Sequence, residues 1–282
     1  MSSVSRPFRI GVVAPGGPMQ KALAEQASSL AAELHGEAVA LVFHPQCFAS
    51  AGHFAGEDAM REDAFVQMAS DPDLDAVWFG RGGYGACRMA EAALARLGPA
   101  AHGKRYLGYS DAGMLLAGLY RHGIGRVAHG PMVQDLAREG GEAAFARALD
   151  WLMFERAETL EAGLDARPSA AFNITILSHL LGTALEPDLT GHVLLLEDVS
   201  EHMYRIDRAL FHILGQPRMR ALAGLRMGRC SDVPVNDPDF GLDEAAIARH
   251  WCERAGVPWL GRADIGHDAD NKVVPFGHAR RP

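Results

Sequence analysis

Short apolar runs alternate with segments of helical period along this chain, and that alternation restricts the fold more than any other feature. Phe8–Val13, Ala38–Phe43, Ala76–Phe79, Arg105–Leu107 and Gly125–Ala128 read as strands. Between and after them lie Met19–Leu34, Asp58–Ala69, Ala86–Leu97, Asp111–Arg121 and Glu142–Phe154, each about the length of a surface helix. In the first of these, Leu23, Ala27, Leu30, Ala31 and Leu34 fall near one face, the spacing of an amphipathic helix. Strands separated by helices of this length predict an α/β fold: a mostly parallel sheet with helices on both faces.

The second half repeats the alternation less regularly. Phe172–Leu181 is apolar but of open type. It is followed by a strand (His192–Leu196), a helix (Tyr204–Leu214), a strand (Leu222–Met227), a helix (Asp243–Ala255) and a short strand near Pro258–Leu260. A chain of 282 residues is long enough for two domains at roughly 150 residues each. The poorly periodic stretch Ala157–Pro168 reads as the linker. It divides the chain into an N-terminal domain, 1–156, and a smaller C-terminal α/β domain, 169–282.

Charge and cysteine content narrow the partners. The net charge is −8 and Lys and Arg form no long cluster, which argues against a nucleic-acid or lipid surface. Cys47, Cys87, Cys230 and Cys252 are scattered, with no CxxC pair, as expected of unbridged thiols in a reducing compartment. The start of the chain lacks the apolar core of a signal peptide, and no run approaches the ~20 apolar residues of a membrane span. A cytoplasmic location is the expectation.

Ligands of parallel α/β sheets bind beyond the carboxyl ends of the strands. Ser110 falls there, between a strand and a helix. It reads either as a nucleophile on a sharp turn or as an ordinary helix cap, since Ser and Asp are preferred at that position. Gly108-Tyr109-Ser110-Asp111-Ala112 stops one glycine short of GxSxG. Glu197 follows the strand Val193–Leu196, where a carboxylate needs a partner: an imidazole, or Arg205 or Arg208 in a structural ion pair. His267, in Asp264-Ile265-Gly266-His267-Asp268, lies in a loop after a strand and is one of 13 histidines, so by default it has no special role, although it supplies an imidazole. The other use of that stretch is a metal site with Asp268, Asp270 and His278, although no HExxH or comparable spacing appears. Gly80-Arg81-Gly82-Gly83-Tyr84-Gly85 satisfies GxGxxG. It stands in the third strand–helix turn, whereas a dinucleotide fingerprint stands in the first. Its other use is to bring backbone N–H groups against a substrate oxygen. Hydroxyl, carboxylate and imidazole together are the parts of an acyl-transfer site.

Six segments, in order along nearly the whole chain, resemble the LD-carboxypeptidase family of serine peptidases, which includes murein tetrapeptide carboxypeptidases and microcin C immunity peptidases. They are Arg81-Gly82-Gly83-Tyr84-Gly85, Gly108-Tyr109-Ser110-Asp111, His129-Gly130-Pro131, Leu196-Glu197-Asp198-Val199 with Tyr204-Arg205-Ile206-Asp207-Arg208, Gly266-His267, and Pro275-Phe276-Gly277. The resemblance implies a flavodoxin-like N-terminal sheet and a smaller C-terminal domain, paired as a homodimer. It implies Ser110 as nucleophile, His267 as base and Glu197 as its orienter, with backbone N–H groups near Gly82, Gly83 and Asp111 forming the oxyanion hole. The absence of clustered ligands at usable spacing argues against a metal, and no cofactor is expected. The substrate would be a small peptide: a murein tetrapeptide losing its last D-alanine during peptidoglycan recycling, or a peptidyl- or aminoacyl-nucleotide toxin. A non-catalytic two-lobed binding protein and a dinucleotide oxidoreductase are the readings from other classes. Two departures touch substrate contacts: Ala171-Phe172-Asn173 stands where Gly-Gly-Asn is usual, and the first turn, Ala14-Pro15-Gly16-Gly17, has Gly where Ser is common.

Overall fold

The computed structural model describes residues 6–279. Its first half runs β1 (Phe8–Val13), α1 (Lys21–His35), β2 (Val39–Phe43), α2 (Asp58–Ser70), β3 (Ala76–Phe79), α3 (Ala90–Ala95), β4 (Arg105–Gly108), α4 (Gly113–Arg121), β5 (Arg126–His129) and α5 (Gly141–Phe154). The second half runs β6 (Ser169–Asn173), α6 (Ile174–Leu180), β7 (Val193–Val199), α7 (Met203–Gly215), β8 (Gly224–Ser231), α8 (Glu244–Ala255), β9 (Trp259–Arg262) and β10 (Val274–Pro275). The five strands of the first half are parallel in the order β2-β1-β3-β4-β5, the flavodoxin-type order. Strands β6 to β9 form a second parallel sheet in chain order. The α/β class and the mostly parallel sheet are those expected from the alternation.

The chain's last strand was not expected. β10 returns to the first sheet and pairs antiparallel with β5, Val274 opposite His129. It is two residues long and contains a proline, which a sheet accepts only at its edge. The stretch read as a linker is also packed. Leu160 bridges Val273, and Glu161 pairs with Arg226 of β8.

Two apolar cores lie on the faces of the first sheet. Ile10, Trp78, Phe145 and Trp151 belong to one. The other runs without a break from Phe79 and Leu115 to Phe172, Leu196 and Ile213, so it joins the two sheets. α4 lies in this shared core, and Gly113 to Leu119 are all buried. Its glycines permit the approach: a Cβ on Gly113 would meet Ile176 at 3.2 Å, and one on Gly118 would meet Leu185 at 2.9 Å. Truncating a buried Leu or Phe in such a core costs about 2–5 kcal/mol. No helix among the described residues is long and apolar enough to cross a membrane.

Three local expectations change. Ala86–Leu97 is not one helix but a tight turn, Ala86–Arg88, and the short α3. Side chains from elsewhere hold that turn: Arg61 donates to the Gly85 carbonyl at 2.8 Å, and Asp111 accepts the Ala86 N–H at 2.9 Å. Phe172–Leu181 divides at Asn173, whose side chain caps α6 by accepting the Ile176 N–H at 3.1 Å. And β7 does not stop at Leu196. It continues through Glu197 and Asp198 to Val199, with an irregularity in its pairing to β8 at that point.

Candidate active site

Ser110 stands where β4 turns into α4. Its φ of +56° is in the left-handed region, one of four non-glycine residues with positive φ among those described. The turn is crowded by design of its glycines. A Cβ on Gly82 would sit 3.2 Å from Ser110 Cβ and 3.3 Å from its Oγ, so any larger residue would fill the space over the hydroxyl. A Cβ on Gly16 would sit 2.4 Å from the Gly82 carbonyl, and Gly17 N–H donates to that carbonyl at 2.9 Å. The first turn and the glycine loop therefore meet at the carboxyl ends of β1 and β3, beside Ser110. Among the described residues neither Gly82 nor Gly83 donates its N–H to a backbone or side-chain acceptor. The Asp111 carboxylate is buried and directed at the Ala86 N–H. Burial raises its pKa, and the backbone donors of Ala86 and Gly85 oppose the shift.

On the other side, His267 Nδ1 lies 2.5 Å from Glu197 Oε2. Glu197 is fully buried in β7, opposite Asn173 of β6. A carboxylate at Nδ1 keeps the proton there and turns the lone pair of Nε2 outward. His267 Nε2 and Glu197 Oε1 are buried without a protein partner. Burial pulls the imidazole pKa down, but the charge and hydrogen bond of Glu197, with the Asp135 charge behind them, leave it above its ordinary value. The Tyr109 ring packs on the imidazole with centroids 4.7 Å apart. Tyr109 directly precedes Ser110, so this contact brings the histidine loop to the serine turn.

Residues outside the proposed triad hold these parts. Asp198 accepts from Asn173 Nδ2 at 2.8 Å, Thr175 N at 3.1 Å, Thr175 Oγ1 at 3.0 Å and Val199 N at 2.8 Å. Burial first, then the neighbouring Glu197 charge, push its pKa up to about 6. Asn271 Oδ1 accepts the Gly266 N–H at 3.3 Å and faces His129 Nε2 at 3.1 Å, tying the histidine loop to the end of β5. Burial pulls His129 down to about 4, so it is a neutral donor here. Asp135 accepts from the Tyr109 hydroxyl at 2.9 Å, Met132 N–H at 2.8 Å and Arg138 Nε at 2.8 Å. Asp198 was signalled by its place in the segment Leu196-Glu197-Asp198-Val199, and His129 by His129-Gly130-Pro131, but neither with a stated role. Asn271 and Asp135 had no signal, because their partners are distant in sequence or lie in loops.

The competing local readings have other partners. Arg205 lies 3.7 Å from Glu201 and beside Tyr204, and Arg208 packs on the Tyr204 ring, so neither pairs with Glu197. Asp268 is held by Arg229, and His278 Nδ1 faces the Ala166 carbonyl at 3.0 Å, so neither joins His267 at a common centre. The glycine loop leads into a tight turn and a six-residue helix, not into the long helix whose N-terminus would carry a pyrophosphate.

Residues 10–130 match the LD-carboxypeptidase N-terminal domain, and residues 170–281 match the LD-carboxypeptidase C-terminal domain. The murein tetrapeptide carboxypeptidase of Pseudomonas aeruginosa is 28% identical over 286 residues, covering 95% of this chain and 91% of its own. The crystal structure of muramoyltetrapeptide carboxypeptidase from Oxalobacter formigenes superposes with a TM-score of 0.76 at 25% identity, over 95% of this chain and 93% of that one. The microcin C7 self-immunity protein MccF superposes with a TM-score of 0.79 at 15% identity, over 97% and 92%, a likeness of fold. Both halves of the chain thus match in the family's order, and the chain belongs to the LD-carboxypeptidase family of serine-type carboxypeptidases.

Proposed function

We propose that this protein removes the C-terminal D-alanine of murein tetrapeptides with a Ser110–His267–Glu197 triad. One observation carries the reading. A buried imidazole, fixed at Nδ1 by a buried carboxylate and unpartnered at Nε2, packs through Tyr109 onto the turn that presents Ser110. Ser110 Oγ attacks the carbonyl between the L-centre of the diamino acid and D-alanine while His267 Nε2 takes its proton. The oxyanion accepts hydrogen bonds from backbone N–H groups at Gly82, Gly83 and Asp111. His267 then protonates the leaving amine, D-alanine departs, and water, deprotonated by His267, hydrolyses the acyl-enzyme. Glu197 holds the imidazole in the productive tautomer and stabilises the imidazolium. The division into 1–156, carrying the nucleophile and glycine loop, and 169–282, carrying Glu197 and His267, belongs to the same proposal. So do a cytoplasmic location, a homodimer, a small peptide as partner with no nucleic acid or membrane, and a chemistry that needs no metal or cofactor.

The second reading is hydrolysis of an aminoacyl-nucleotide toxin, favoured by the likeness to MccF, which has been solved with glutamyl sulfamoyl guanosine. Both substrates are to be tested on one preparation. The expected result is release of free D-alanine from the tetrapeptide, unaffected by exhaustive chelation, and a fall of at least about 10³-fold in kcat for folded Ser110→Ala. Cleavage of aminoacyl-sulfamoyl nucleotide with no release of D-alanine would replace the first reading by the second. Loss on chelation with recovery on zinc would overturn the serine mechanism.

A further inference from the structure

The proposed reaction requires a free carboxylate on the leaving residue, and nothing in the triad recognises one. The chemistry says where that carboxylate must be. His267 hands its proton to the leaving nitrogen, so the leaving residue lies against the imidazole. Its carboxyl carbon is two bonds from that nitrogen, and therefore lies on the imidazole side of the serine turn, away from the glycine loop.

Five arginines stand around the site, of which the buried Arg61 is spent on the Pro15 and Gly85 carbonyls and Asp58. Arg81 is on the glycine side, its guanidinium over Gly17 and its Nη1 donating to the Pro18 carbonyl at 2.7 Å. Arg229 spends Nε and Nη2 on Asp268 and Nη1 on Asp264. Arg147 donates to the Ala269 and Asn271 carbonyls at 2.9 Å. Arg138 is different. Its Nε is anchored to the buried Asp135, which also takes the Tyr109 hydroxyl. The Tyr109 hydroxyl lies beside the guanidinium, Nη1 and Nη2 donate to no carboxylate or carbonyl among the described residues, and the side chain is 42% exposed. Its turn lies over the histidine loop: a Cβ on Gly140 would sit 3.3 Å from Ala269 Cβ, two residues beyond His267. The guanidinium is thus oriented from behind by a carboxylate and presents a two-donor edge, the geometry that pairs with a second carboxylate.

We propose that Arg138 binds the free α-carboxylate of the leaving D-amino acid, and so restricts cleavage to the last peptide bond of the chain. This rests on the carboxypeptidase reading above. The test compares the tetrapeptide with its C-terminal amide in the wild type, Arg138→Ala, Arg138→Lys and Arg81→Ala. Arg138→Ala should lower kcat/KM on the acid by roughly 10- to 100-fold, mostly through KM, and change the amide by less than about 3-fold. Arg138→Lys should recover part of the preference, as a point charge in place of a fork. An equal fall on acid and amide would mean that Arg138 only supports Asp135 and Tyr109, and would overturn the proposal. Collapse of the preference in Arg81→Ala, with the preference kept in Arg138→Ala, would also overturn it. The same comparison is made by calorimetry in the Ser110→Ala background, where binding is read without turnover. A wild type that releases no D-alanine defeats the carboxypeptidase reading. Acid and amide binding equally with Arg138 in place defeats the role of Arg138, whatever the turnover.

Discussion

Glu197 and Asp198 are adjacent, both buried, and opposite in use. Glu197 faces the His267 imidazole, whereas Asp198 is surrounded by four donors from β6, α6 and β7. Glu197→Gln keeps the size but offers an amide N–H to Nδ1, which favours the wrong tautomer. We expect kcat to fall by roughly 10²–10⁴ with little change in KM. The pH profile gives an independent reading. His267 works as a base only when neutral, and its pKa lies above the ordinary value. The wild-type kcat/KM should therefore rise with pH through an apparent pKa above about 6.5. In Glu197→Gln the charge that raises that pKa is gone while burial, which lowers it, remains, so the acid limb should move to lower pH. Near-normal kcat, an unmoved limb and a lower melting temperature would make Glu197 a structural residue only.

The elements were legible where one physical cause dominates. A buried parallel strand is a short apolar run, and β1, β3 and β4 lie where such runs lie. The candidate residues Ser110, Glu197 and His267 drew notice as polar residues at the ends of such runs, and the contact of His267 with Glu197 is the part of that reading the fold displays. Where tertiary contacts decide, the sequence was silent. α3 is shortened by bonds from Arg61 and Asp111, β7 is prolonged through two carboxylates by its partners, and β10 is too short and too proline-rich to show a pattern. Asn173 is the junction that local pattern left open. Its Oδ1 caps α6 and its Nδ2 donates to Asp198. Asn173→Ala removes a cap and a buried charge-assisted bond, for an expected loss of about 2–4 kcal/mol in chemical denaturation. A loss under about 0.5 kcal/mol would show that Thr175 and Val199 alone hold Asp198.

At the scale of the whole molecule, the shared core and the return of β10 argue against independent halves. Trp78 and Trp151 report on the first sheet, and Trp251 and Trp259 on the second. Variants keeping only one pair should unfold in denaturant with the same midpoint and slope, as one cooperative unit. Separate midpoints would show that each half folds on its own. The left-handed backbone at Ser110 is a cost that the whole fold carries. Glycine adopts that conformation freely, so Ser110→Gly should exceed Ser110→Ala in stability by roughly 0.5–1 kcal/mol, and both should be inactive. Equal stability of the two would show that the turn is unstrained. If the difference is found, a library of this chain screened for heat resistance alone, with no demand for turnover, will drift toward glycine at position 110, trading its chemistry for melting temperature.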